Sequence, residues 1–153
     1  MQAEIPEVIK KICFDIFEQL AFMFGEELDK EDVDCFDMDF FKAAMAFSGH
    51  RSGSVEIIIP AHLAPALAVN ILGIDENETM EQGIAEDALK ELLNTLCGRM
   101  LPALFTDQDT FDLQPPEVES VSRTQWQQFL NDERTIAFSI EESPILLNIR
   151  IPD

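Results

Sequence analysis

The sequence predicts an α+β domain in which two long helices pack on an antiparallel sheet, built from a duplicated helix-plus-antiparallel-strand unit. Three observations carry this. Two long segments repeat apolar residues at helical spacing. Short β-branched runs joined by turns follow each of them, which implies antiparallel pairing. The two helical segments also echo each other. In 18-EQLAFMFGEEL-28 and 91-ELLNTLCGRML-101, Glu18 matches Glu91, Leu20 matches Leu93, Gly25 matches Gly98 and Leu28 matches Leu101, four identities in eleven positions at a constant offset of 73. The echo extends to 36-FDMD-39 and 111-FDLQ-114, which follow their helices in the same way. Read as an internal duplication, this gives a single domain over 1–153 with pseudo-repeats at about 7–73 and 80–153.

The first helix is predicted over 7–24, on the spacing of Val8, Ile12, Ile16, Leu20 and Met23, with Gly25 as its stop. Phe14, Phe17, Phe22 and Phe24 make it apolar all round, so it should be deeply buried or cover a second surface. Residues 33–49 read as strand material, ambiguous over Ala43 to Ala46. His50 to Gly53 form a turn, and 54-SVEIIIP-60 is a β-branched strand. A short helix over 61–73 ends at Gly73, and an acidic loop covers 74–83. The second long helix spans 84–101, with Pro102 helping to end it. Strands follow around 108–113, 134–142 and 144–152, and 115–132 reads as a loop with a strand candidate over 117–123.

Bulk properties narrow the function classes. At 153 residues and 46% apolar composition the chain can bury a proper core. Its net charge of −20 opposes nucleic acid and anionic membrane surfaces, so neither is expected as a partner. No apolar run reaches the length needed to span a bilayer, and 1-MQAEIPEVIKK-11 lacks the layout of a signal peptide. A cytoplasmic protein is expected. Cys13, Cys35 and Cys97 are far apart and sit in apolar sequence, which predicts buried free thiols. His50 and His62 have no metal-ligand spacing, so no metal site is expected.

One helix face invites a chemical reading. At about 100° per residue, Ala85, Leu89, Leu92, Leu93, Leu96 and Met100 cluster on the core side of the second helix. Asp87, Glu91, Asn94 and Gly98 fall in one line on the opposite side. Glu91 offers a charge for a partner's Lys or Arg, and Asn94 a carboxamide able to hold a water. Gly98 removes the side chain that would keep another backbone away. Asp87 and Gly98 are therefore partner-binding candidates beside Glu91 and Asn94. The same spacing also describes an ordinary solvent-facing helix, since Glu and Asn are unremarkable there. On the first helix the corresponding line is Phe14, Glu18, Ala21 and Gly25, which keeps the acid and the glycine but lacks the amide.

The stretch 57-IIIPAHLAPALAVNILGIDENETMEQGIAEDALKELLNTLCGRML-101 resembles the CheC/CheX family of chemotaxis phosphatases. The family shows a strand, a short helix ending in Leu-Gly (here Leu72-Gly73), an acidic connection, and a long helix with Glu-x-x-Asn and a Gly four residues further on. Glu91, Asn94 and Gly98 fit those places. One intact motif in the second half is closer to CheX-like members than to CheC-like ones. The resemblance implies a phosphatase acting on the aspartyl phosphate of a CheY-like response regulator. Asn94 would orient the attacking water and Glu91 would bind the regulator's active-site Lys. The Mg²⁺ would be the regulator's, with no cofactor of the chain's own, and the chain would form a homodimer through its sheets. Because flagellar switch domains are similar in fold, the alternative is a non-catalytic module that binds a regulator or a switch partner. A third reading is an unrelated α+β protein with an accidental Glu-x-x-Asn.

Overall fold

The structure, a computed structural model, describes residues 5–33, 39–49, 51–75, 82–105 and 111–151. Its elements are α1 (Ile5–Ala21), β1 (Gly25–Glu27), β2 (Phe40–Ser48), β3 (Gly53–Pro60), α2 (Ala64–Leu72), α3 (Gln82–Leu104), β4 (Asp112–Leu113), β5 (Glu117–Val121), α4 (Arg123–Asn131), β6 (Ile136–Ile140) and β7 (Ser143–Arg150). All seven strands join one antiparallel sheet in the order β1-β6-β7-β3-β2. β4 and β5 then share the outer edge of β2, one opposite Phe47 and Ser48, the other opposite Phe40 to Ala44. The expected α+β architecture, with two long helices on an antiparallel sheet, is what forms.

The sheet buries both faces, and strand alternation sorts them. Val55, Ile57 and Ile59 of β3 join Ala43, Met45, Phe138 and Leu147 beneath α1, α2 and α3. Ile58 points the other way, into a smaller cluster with Phe40, Val121, Ala137 and Leu146 beneath α4. There Trp126 stacks on Phe40, with ring centroids 4.1 Å apart. A continuous apolar run such as 57-III-59 is therefore required, since β3 is covered on both sides.

Three sequence expectations need correction. α4 occupies part of the segment read as loop. Its nine residues are mostly polar, and the apolar Trp126, Phe129 and Leu130 fall at i, i+3 and i+4, a helical spacing confined to a short segment. A signal was nevertheless present: Ser122 and Gln125 form a capping box, in which Gln125 N–H donates to Ser122 Oγ (3.2 Å) and Ser122 N–H to Gln125 Oε1 (2.8 Å). Second, α1 stops at Ala21 rather than near Gly25. Phe22 takes a left-handed conformation (φ 56°), its N–H donating to Glu18 O (3.1 Å) while Met23 N–H reaches back to Phe17 O (3.1 Å), which closes the helix. A Phe at that position costs about 1–2 kcal/mol, and burial of Met23 at 4% exposure offsets it. Gly25 lies instead in β1, opposite Ile140. Third, α3 runs on to Leu104 and contains Pro102. Met100, Leu101 and Phe105 are buried there, and Phe105 N–H donates to Leu101 O (2.9 Å), so packing carries the last turn past the proline.

Gly73 caps α2 in the left-handed region (φ 70°), as expected of a terminal glycine. Cys13 and Cys97 are buried free thiols. Burial pushes Cys97 up to about 12, and burial reinforced by Cys97 pushes Cys13 higher still. Cys35, His50, most of the acidic loop (76–81) and residues 108–110 of the strand expected around 108–113 lie outside the described residues. Exposed His62 meets Ser143 Oγ at 2.9 Å. No helix among the described residues is long and apolar enough to cross a membrane.

Beyond the edge of α4 the sheet face turns polar, and a chain of charges crosses it. Lys42 bridges Glu119 (3.1 Å) and Glu56 (3.4 Å), Arg150 bridges Glu56 (2.9 Å) and Asp132 (3.6 Å), and Arg134 holds Asp132 (3.0 Å). Hydrogen bonds from the Arg134 side chain and backbone draw Asp132 down from 3.8 to about 2. Because the folded-state value lies below the unfolded one, the stability it contributes is complete above 3.8 and is lost as pH falls through about 2. Asp132→Asn should therefore lower stability by about 1 kcal/mol or less at neutral pH. Urea unfolding at several pH values should show the variant and wild-type curves converging toward pH 2.

Candidate functional site

The site is built by α3. Ala85, Ala88, Leu89, Leu92, Leu93, Leu96, Cys97, Met100 and Leu101 are each at most 4% exposed, against α1, α2 and the sheet. These include all six residues expected on the core side. Asp87, Glu91, Asn94 and Gly98 are all exposed on the opposite side. The structure thus brings the four together along one solvent-facing line, with neighbouring side chains about 5–6 Å apart at their Cβ atoms. Thr95, on the flank, donates its hydroxyl to the Glu91 carbonyl at 2.9 Å. Among the described residues nothing engages the Glu91 carboxylate or the Asn94 carboxamide, so both are available to a partner.

The corresponding line of α1 does not form a surface. Phe14 packs edge-on against Phe138, with centroids 5.6 Å apart. Ala21 is fully buried, and its carbonyl accepts from Asn70 Nδ2 of α2 at 2.6 Å. Gly25 has left the helix for the sheet, and only Glu18 remains exposed. An amide at position 21 would be buried, with no water to orient.

The line also extends one step beyond the sequence reading. Pro102, expected to end the helix, stands exposed inside it, one turn after Gly98 on the same face. Its position four residues after Gly98 was legible, but its inclusion in the helix was not. In a helix interior, glycine costs about 1 kcal/mol and proline about 3 kcal/mol relative to alanine. Two unfavourable residues therefore follow each other along one exposed face.

What the fold and site define is an α+β domain that presents a free acid–amide pair from a rigid helix. The sequence pattern described as chemotaxis phosphatase CheX matches residues 41–136, more than half of the chain, and the chain belongs to that family. Among solved structures, it is similar to the chemotaxis protein CheX of Vibrio vulnificus (TM-score 0.70, 18% identity, 99% of each chain covered). It is also similar to CheX of Desulfovibrio desulfuricans (TM-score 0.69, 16% identity, covering 97% of this chain and 99% of that one). A third similar structure is the CheX–CheY–BeF3–Mg²⁺ complex of Borrelia burgdorferi (TM-score 0.65, 15% identity, covering 96% and 97%). No curated protein sequence matches the chain significantly.

The two glycines of the echo should respond oppositely to substitution. A Cβ on Gly98 meets nothing within 4 Å, so Gly98→Ala should stabilise the protein by about 1 kcal/mol. A Cβ on Gly25 would collide with the Phe14 ring and Ile140, so Gly25→Ala should cost about 1–3 kcal/mol. Urea denaturation of both variants checks the contrast.

Proposed function

We propose that the chain hydrolyses the aspartyl phosphate of a CheY-like response regulator. The observation that carries this reading is the exposed, unengaged pair Glu91 and Asn94 on α3 of a CheX-family domain. The complex of a CheX with CheY, BeF3 and Mg²⁺ supports the choice of partner. Glu91 pairs with the active-site Lys of the regulator and fixes the register of docking. The Asn94 carboxamide then holds a water in line with the acyl phosphate. Water oxygen bonds to phosphorus, the bond from phosphorus to the aspartyl oxygen breaks, and the carboxylate leaves as inorganic phosphate forms. An acyl phosphate is already reactive, so positioning the nucleophile is a large part of the catalysis required. Asp87 and Gly98 complete the contact surface.

The regulator supplies the Mg²⁺ in this reading. Among the described residues of this chain, no group of three or more His, Cys, Asp or Glu is placed to hold a metal ion. A cytoplasmic location goes with this partner.

The test is phosphate release from a panel of phosphorylated response regulators of the source organism, with and without this protein. Acceleration by wild type is expected for at least one regulator. Asn94→Ala should lower the maximal rate about 10²- to 10³-fold, whereas Glu91→Gln should act mainly by raising the regulator concentration needed for half-maximal rate. Lack of acceleration of any regulator, together with retained binding, would replace this reading by the non-catalytic module.

A homodimer formed through the sheets belongs to the same proposal. Among the described residues, β1 and the β4–β5 edge each pair on one side only, which leaves strand edges for a second copy. Sedimentation should report a dimer, and a monomer at every concentration would remove this part.

A further inference from the structure

An α-helix closes its backbone by giving the N–H of residue i+4 to the carbonyl of residue i. The Gly98 carbonyl should receive the N–H of residue 102, but Pro102 has none. α3 nevertheless continues to Leu104, so this carbonyl lies within the helix and not at its frayed end. Gly98 is exposed, and a Cβ there would meet nothing within 4 Å. Nothing inside the described fold accounts for either the glycine or the exposed proline. Proline removes the helical donor of this atom, and at an exposed glycine the surface consists of backbone alone. That atom lies one turn from Asn94, on the line Asp87, Glu91, Asn94.

We propose that the Gly98 carbonyl oxygen is a binding acceptor that takes an N–H donor of the docked response regulator. Pro102 is the positioning residue that keeps this acceptor free. The inference rests on the phosphatase reading and adds to it a backbone contact on the docking face. It concerns affinity and register and not the chemical step, because the carbonyl lies a turn away from the water-holding amide.

The experiment compares wild type with Pro102→Ala, Pro102→Ser and Pro102→Leu, using the regulator that wild type dephosphorylates. Every replacement restores an N–H to the helix and occupies the carbonyl. All three variants should melt at a higher temperature than wild type and retain kcat. All three should raise KM, and Kd for the regulator held in its beryllofluoride–Mg²⁺ form, by about 3- to 10-fold. If the donor is a regulator backbone N–H, the ratio of variant to wild-type Kd should be insensitive to salt. If it is a Lys or Arg, the ratio should shrink as salt rises.

Unchanged KM and Kd in all three variants, with the expected rise in melting temperature, would overturn the inference and leave the phosphatase reading standing. An effect that tracks the size of the new side chain would also overturn it, because the proline ring and not the carbonyl would then be the contact. A wild-type protein that neither dephosphorylates nor binds any regulator would overturn both.

Discussion

The rotation of α3 about its own axis is the constraint on which the rest depends. Leu92, Leu93, Leu96, Cys97 and Met100 are completely buried, and Leu89 and Leu101 almost so. Turning the helix by one residue, about 100°, would drive part of the Asp87–Gly98 line toward the core and bring leucines into water. Burying an unpaired carboxylate or carboxamide costs several kcal/mol, and each exposed leucine forfeits about 1.5–3 kcal/mol. The helix therefore has one setting. The sheet, α1 and α2 matter to the site chiefly because they hold that setting. A group that positions water needs such rigidity, since a displacement of about 1 Å can cost 10²-fold in rate.

The same logic explains why the two helices of the echo carry different residues at matching positions. α1 is overlaid by α2 at its C-terminal end, where the carboxamide of Asn70 ties down the Ala21 carbonyl. A small apolar residue is what that crossing accommodates, and Phe14 is occupied in packing against Phe138 and over Gly25. At the matching place on α3 there is no cover, and a polar residue is free to stand out. Whether a helix position holds alanine or asparagine is thus decided by what lies over it.

The parts of the fold that were legible in the sequence are those in which one physical signal is repeated. The core face of α3 reads correctly because its buried positions recur with the helical period, and the exposed line follows from the same arithmetic. β3 and β7 read correctly because their runs 57-III-59 and 145-ILL-147, covered on both faces, are apolar without interruption. What was missed depends on single residues whose context is tertiary. Phe22 accepts a left-handed conformation because Met23 gains burial. Pro102 is absorbed into α3 because Met100, Leu101 and Phe105 pack beneath it. α4 is short and mostly polar, although Trp126, Phe129 and Leu130 at helical spacing and the Ser122–Gln125 box both marked it. For the site, spacing supplied the geometry of Glu91 and Asn94, but spacing is shared by any solvent-facing helix. Meaning came only with the family.

The charge of the chain bears on docking through what is local. A net charge of −20 opposes approach to an acidic phosphorylation pocket. Screening at physiological salt nevertheless limits exposed charges to about 8 Å, so the acids of 26–32, on and beyond the opposite sheet edge, weigh little at the face of α3. Along that face Asp87 and Glu91 are negative, while Lys90 and Arg99 fall on its two flanks at the helical angle. Glu86 lies beyond Lys90 on the same flank, so this face of α3 is less acidic than the molecule as a whole without being neutral. In the proposed complex an incoming acidic pocket would therefore meet less repulsion there than the net charge suggests. The overall charge opposes anionic surfaces, and in the proposed complex the less acidic strip would leave a direction of approach on which a pairing of Glu91 with a lysine sets the register.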